Sequence, residues 1–205
     1  NGDGTLVLGG INTFTGGTQT ASITKANLTL TGTRVYNGAT AFTAADLSSL
    51  ATGVAGETFA LTGSGTLSTK NVQTAQQLGD VSGLTLGVSG NGGLAGNYNT
   101  LAPANSSVSV TKAPITISTA DVVKTYDGTT TATGSPVFLV GQLFGTDVLT
   151  FSGLGPTYVF ANQDAGTGKT VIVSGINVND GNNGQNYTRT LANNTSSTIN
   201  PFVVN

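Results

Sequence analysis

Side chains that could move a proton, hold a metal or attack a carbonyl are scarce in this chain. Its 205 residues include no His, Cys, Met or Trp, and the ionisable set is nine Asp or Glu, seven Lys or Arg and five Tyr. Without imidazole or thiol, the usual routes to nucleophilic catalysis, acid–base work near neutral pH and transition-metal ligation are closed. No acid–base constellation stands out, so the sequence argues against an enzyme and implies no cofactor. Calcium needs only oxygen ligands, and Asp3, Asn179 and Asp180 sit in loops rich in Asx and Gly. Neither loop has the alternating acidic spacing closed by Glu that a calcium loop uses, so plain turns are expected there and no metal. Lys25, Lys112 and Lys169 are the only plausible donors for a Lys–Asn isopeptide cross-link; solvated lysines are the expectation. Asn-x-Ser/Thr occurs at Asn27, Asn105, Asn186, Asn193 and Asn194, a number expected by chance in so Asn- and Thr-rich a chain.

One phrase does recur with order. Arg34-Val35-Tyr36-Asn37-Gly38-Ala39-Thr40 is answered by Lys124-Thr125-Tyr126-Asp127-Gly128-Thr129-Thr130, with the two tyrosines 90 residues apart. Its surroundings recur too. Lys25-Ala26 answers Lys112-Ala113, Gly56-Glu57-Thr58 answers Gly145-Thr146-Asp147, Val81-Ser82-Gly83 answers Val173-Ser174-Gly175, and Asn97-Tyr98 answers Asn186-Tyr187. The chain is therefore two copies of one module, and this repetition governs every later inference. A catalytic carboxylate or metal ligand does not ordinarily survive as an amide in its sister copy. The interchange of Asn37 and Asp127 thus marks Tyr36, Asn37, Gly38, Tyr126, Asp127 and Gly128 as a structural turn motif, with a type I′ hairpin turn as the expected geometry.

The elements that must carry this motif are short strands. Alternating Val, Ile, Leu and Thr runs are punctuated by turn residues every 8 to 12 positions, which is the rhythm of a sandwich or barrel. The expected fold is all-β, two tandem β-sandwich-like modules at 22–110 and 111–201. A segment at 1–21 resembling a β-helix coil or an edge strand precedes them, and residues 202–205 form a tail or the start of a next module. Residues 42–50 have helical spacing, which leaves β-grasp-like modules with one short helix as the alternative. The joint around Lys112-Ala113-Pro114 has no Gly/Ser-rich linker, and Pro114 restricts it further, so a short and stiff connection is expected.

Residues 124–133, with Gly145-Thr146-Asp147, 164–171, Val173-Ser174-Gly175-Ile176 and Asn186-Tyr187-Thr188, resemble the YDG-type module, a relative of the MBG repeats. Such modules are found in tandem in large bacterial surface adhesins, notably haemagglutinin-like exoproteins of two-partner secretion. The resemblance spans nearly all of the second copy. The first copy is a looser match, with Asn37 for the Asp and Lys70-Asn71-Val72 where the second has Gln163-Asp164-Ala165. The resemblance implies an extracellular stalk or repeat region at a bacterial cell surface, supporting adhesion or biofilm formation, with no catalytic residues to carry over.

Charge and hydropathy bound the partners. A net charge of −2 with seven scattered basic residues offers no stripe for phosphates, so no nucleic acid is expected. The apolar runs fall far short of the roughly 20 residues that span a bilayer, so no membrane insertion is expected. The leading expectation is a non-enzymatic spacer whose partners are neighbouring modules of the same parent chain. Two alternatives stand beside it. One is a filament or matrix subunit that joins other copies of itself by strand addition at either end. The other is a binding module for host glycans, host protein or matrix polysaccharide, presenting a row of aromatics drawn from Tyr158, Phe160, Phe144 and Phe14.

Overall fold

The computed structural model describes residues 24–153 and 155–204, so the leading segment at 1–21, with Asp3 and Phe14, lies outside the described part. The architecture is all-β, with 49% of the described residues in strands and 3% in helix. The helical residues form two single 3-10 turns, Ala95–Asn97 and Pro103–Asn105.

The first module has seven strands among the described residues: β1 (Thr29–Val35), β2 (Ala41–Thr43), β3 (Ser49–Ala51), β4 (Phe59–Thr66), β5 (Gln73–Gln76), β6 (Leu84–Ser89) and β7 (Ser106–Thr111). They form one sheet in the order β3-β1-β7-β5 and another in the order β2-β4-β6. Side chains alternate across a strand, so β7 points Ser106, Val108 and Val110 inward while its odd-numbered residues face outward. The second module follows with β8 (Ala113–Thr119), β9 (Val123–Thr125), β10 (Pro136–Val140), β11 (Val148–Phe151), β12 (Thr157–Phe160), β13 (Gly166–Ser174), β14 (Ile176–Asn179), β15 (Tyr187–Leu191) and β16 (Asn194–Asn200). Its sheets run β10-β8-β15, β11-β14 and β12-β13-β16-β9.

Hydrogen bonds place the two copies in register. The Tyr36 N–H donates to the Thr111 carbonyl and the Tyr126 N–H to the Asn200 carbonyl, both at 2.8 Å. Ala26 bridges Tyr98 in parallel as Ala113 bridges Tyr187. Leu67 N–H meets the Thr40 carbonyl as Phe160 N–H meets that of Thr130. At this last pair the cores exchange bulk. The first module packs Phe42 and Leu67 around Gly65, and the second packs Tyr158 and Phe160 opposite Ala132. Interior volume is retained while the aromatic residue changes strand, a swap that cores tolerate. Tyr158 and Phe160 are therefore core residues, 6% and 1% exposed, and not the surface aromatics expected for sugar contact.

Three further expectations are corrected. Residues 42–50 hold no helix: β2, a turn and β3 occupy them. The Asp46 carboxylate accepts the Thr43 N–H at 2.9 Å and the Thr43 hydroxyl at 2.8 Å, closing the turn, and Leu50 then pairs with Leu30 across the sheet. Local side-chain capping and a strand partner outweigh the helical spacing. The Tyr-Asx-Gly segments are not type I′ hairpin turns. Gly38 and Gly128 have φ of 77° and 73°, but neither Asn37 nor Asp127 is among the residues of positive φ, and I′ needs both central residues there. Nor do the flanking strands pair: β1 bonds β3 and β7, whereas β2 bonds β4. Each segment instead turns the chain from one sheet to the other, held by an Asx turn from Asn37 Oδ1 to Ala39 N–H (3.1 Å) or from Asp127 Oδ1 to Thr129 N–H (2.9 Å). Finally, residues 98–101 and 187–191 both read as strand in the sequence, yet the first stretch is reduced to the single bridge at Tyr98, while β5 and β10 form where the sequence marks no strand.

Candidate functional site

One residue, Lys112, separates the last strand of the first module from the first strand of the second. The Tyr-Asx-Gly turn of the first module stands at this joint, because β1 runs parallel to β7 and ends beside it. A basic residue stiffens the turn from behind. The Arg34 guanidinium is buried, donates to Asn37 Oδ1 and to the Ala39 carbonyl, and lies 5.5 Å from the centre of the Phe42 ring. Burial pulls its pKa below the usual arginine value. Lys124 does the same for the second turn, donating to the Thr129 and Thr131 carbonyls at 2.9 and 3.1 Å and pairing with Asp127 at 2.7 Å. That ion pair and the Thr129 N–H hold the Asp127 carboxyl at a pKa of about 2.

With its turn fixed, Tyr36 reaches into the second module. Its hydroxyl donates to Asp147 Oδ2 at 2.9 Å, and the Tyr187 hydroxyl donates to the same oxygen at 2.7 Å. Lys70, from the first module, donates to Asp147 Oδ1 at 3.0 Å and sits 5.8 Å from the Tyr36 ring centre. The Asp147 side chain is 1% exposed. A carboxylate so enclosed is tolerable only when its oxygens are satisfied, and here two phenols and an ammonium satisfy them. The Phe144 N–H donates to the Tyr187 hydroxyl at 2.9 Å, so that oxygen is occupied as both donor and acceptor. The rings close the cluster: Tyr36 meets Tyr187 and Phe144 edge-on, with centroids 5.4 and 6.1 Å apart. Burial, followed by the bond to Asp147, pushes the Tyr187 hydroxyl well above the usual tyrosine range, and burial raises Tyr36 in the same direction. The bonds to Tyr36 and Asp147 raise Lys70. All three shifts favour the protonation states that make these hydrogen bonds.

A second contact lies alongside. Asn186 is fully buried; its Oδ1 accepts the Val72 N–H at 2.9 Å and its Nδ2 donates to Asn71 Oδ1 at 3.0 Å. Asp180 holds that segment in place by accepting N–H groups from Asn182 (2.7 Å), Gly184 (2.8 Å) and Asn186 (2.9 Å). Burial pushes the Asp180 carboxyl up, but these bonds outweigh it and leave the pKa below the usual value. Both its oxygens thus accept backbone N–H groups, and Asn179 Oδ1 accepts the Gly181 N–H at 3.2 Å. Among the described residues no group of three or more acids gathers to hold a metal ion.

Of the residues singled out from sequence, the joint takes in Tyr36, Asn37 and Gly38 together with Phe144. Tyr126, Asp127 and Gly128 stand at the far end of the second module, where Tyr126 is 38% exposed. Lys112 donates to Gln185 at the surface and Lys169 to Asn162. Asp147, Tyr187 and Lys70 were not singled out from sequence, and Asn186 only as one of five Asn-x-Ser/Thr positions. Their signal lay in the repeat: both copies keep an acid and a tyrosine at these places, Glu57 with Tyr98 and Asp147 with Tyr187.

No curated protein and no solved structure matches the chain. The family model described as the YDG domain matches twice, over residues 17–106 and 111–196. The two matched stretches are separated only by residues 107–110, inside the last strand of the first module, and otherwise leave out only the ends of the chain: the chain belongs to the YDG domain family and carries two of its modules in tandem.

Proposed function

We propose that the chain is a spacer: a non-enzymatic part of an extracellular bacterial adhesin that holds a binding region away from the cell surface, in support of adhesion or biofilm formation. The observation that carries this reading is the joint. A flexible string needs no contact between its modules, whereas here the Tyr36 turn, Lys70 and Asn71 of one module are bound to Asp147, Tyr187 and Asn186 of the next. A spacer transmits position only if its joints resist bending, and a buried carboxylate with three partners supplies that resistance. The low charge and the abundance of Gly and Thr suit a surface of paired strands and turns. The neighbouring modules are its partners, and no cofactor takes part.

Two outcomes test the reading. Antibodies against the chain should label intact cells of the source bacterium, and the purified chain should neither bind host cells or glycans nor inhibit adhesion by the parent protein. Labelling that requires permeabilised cells would overturn the location. Inhibition of adhesion by the chain itself would make it the binder and not the spacer.

A further inference from the structure

The joint has a donor half and an acceptor half, and each module carries both. In the acceptor half of the second module, Phe144, Asp147 and Tyr187 surround Tyr36, and Asn186 beside them binds Asn71 and Val72. The first module has the same frame: Glu57 N–H meets the Val54 carbonyl as Asp147 N–H meets that of Phe144, and Ala26 N–H meets the Asn97 carbonyl as Ala113 N–H meets that of Asn186. There the Tyr98 hydroxyl donates to Glu57 Oε2 at 2.5 Å, as Tyr187 does to Asp147. Val54, Glu57, Asn97 and Tyr98 line a cavity of about 520 Å³ that, among the described residues, nothing fills. The acceptor half is therefore assembled by the module itself, without a tyrosine from outside.

The donor half is likewise complete in the second module. Tyr126 leaves β9 as Tyr36 leaves β1, with matching backbone bonds and a turn clamped by Lys124. Yet Tyr126 is 38% exposed, and the space beside Gly128 is open where a Cβ at Gly38 would lie 2.9 Å from the Phe144 side chain. Beyond Asn200, the counterpart of Thr111, the backbone continues through Pro201 as it continues through Lys112 at the joint.

We propose that the Tyr126-Asp127-Gly128 turn docks into the acid–tyrosine socket of a further YDG module placed after it in the same polypeptide, repeating the Tyr36 joint. The occupant is set by the chemistry: a buried carboxylate bonded to a tyrosine, walled by an apolar side chain and an asparagine, fits a second phenol hydroxyl on a rigid turn. The joints are not identical. Gln163 and Asp164 stand where the first module has Lys70 and Asn71, so the socket carboxylate receives an amide in place of an ammonium. This proposal rests on the spacer reading only in assuming further modules, and its test does not involve location or adhesion.

The test extends the full chain after Asn200 with a second run of residues 112–205, which keeps the one-residue spacing of the existing joint. Fluorotyrosine placed at Tyr126 reports burial through its fluorine shift between light and heavy water. In the 205-residue chain that shift is expected to be large; in the extended chain it should fall to the value found for fluorotyrosine at Tyr36. An Asp147→Asn change in the added run alone should restore the large shift. A large shift in the extended chain, with fluorotyrosine at the added run's counterpart of Tyr187 showing that the run is folded, would overturn the proposal. Burial that appears only as concentration rises would overturn it too, since the turn would then be docking between separate chains.

Discussion

Tyr36 and Tyr126 open the same turn in two copies of one module, yet the first is 1% exposed and the second 38%. Their backbone bonds match to within a tenth of an ångström, so the difference does not arise within the module. It comes from the neighbour. The turn is a fixed projection whose burial depends on whether another module's socket stands against it, and the repeat therefore has a direction, with tyrosine turns facing one way and acid–tyrosine sockets the other. A second pair makes the same point from the socket side, since Asp147 has three side-chain partners where Glu57 has one.

The two modules should differ most at the acid. Asp147→Ala leaves two buried phenols and an ammonium without their acceptor and should cost about 3–5 kcal/mol, whereas Glu57→Ala should cost about 1 kcal/mol. Urea unfolding of the two variants checks this, and equal losses would mean that the joint adds nothing. The glycines separate next. Both have left-handed φ, but only at Gly38 does an added Cβ meet another module. Gly128→Ala should cost about 1 kcal/mol from backbone strain, and Gly38→Ala about 2–4 kcal/mol; melting temperatures of the pair would show it.

Alkali sharpens the contrast further. Tyr36 and Tyr187 have raised folded-state pKa values, so the stability they contribute is fully present below the unfolded tyrosine pKa of about 10 and is lost as pH rises from there through the folded values. Melting temperature should decline above about pH 10, and Tyr36→Phe should reduce the slope. The smallest effect is expected from Lys70→Gln, which gives the joint the residue found at Gln163. The ammonium is partly exposed, so the loss should be about 0.5–1 kcal/mol and should shrink as salt is added.

Much of this was legible in the sequence because it is local or repeated. The strand rhythm and the tandem modules follow from alternation, turn residues and the doubled phrase. The features that were missed depend on distance. The 42–50 segment has the spacing of a helix, but its Thr43–Asp46 cap and the Leu30–Leu50 pairing across 20 residues decide for strands. Tyr158 and Phe160 read as surface aromatics because nothing local shows that they occupy the space that Phe42 and Leu67 fill in the sister copy. The Asn/Asp interchange pointed to the turn's Asx, whose side chain accepts the backbone N–H two residues on in both copies. It drew attention away from the neighbouring tyrosine, which is the residue that reaches across the joint, and from the acid 111 residues away that receives it.

Residual dipolar couplings of the full chain in a weakly aligning medium show whether this cluster fixes one module against the other. A single alignment tensor should fit the amides of both modules, and Asp147→Asn should split it into two of unequal magnitude. Two tensors in the unaltered chain would mean that the modules reorient independently and that the cluster does not hold them.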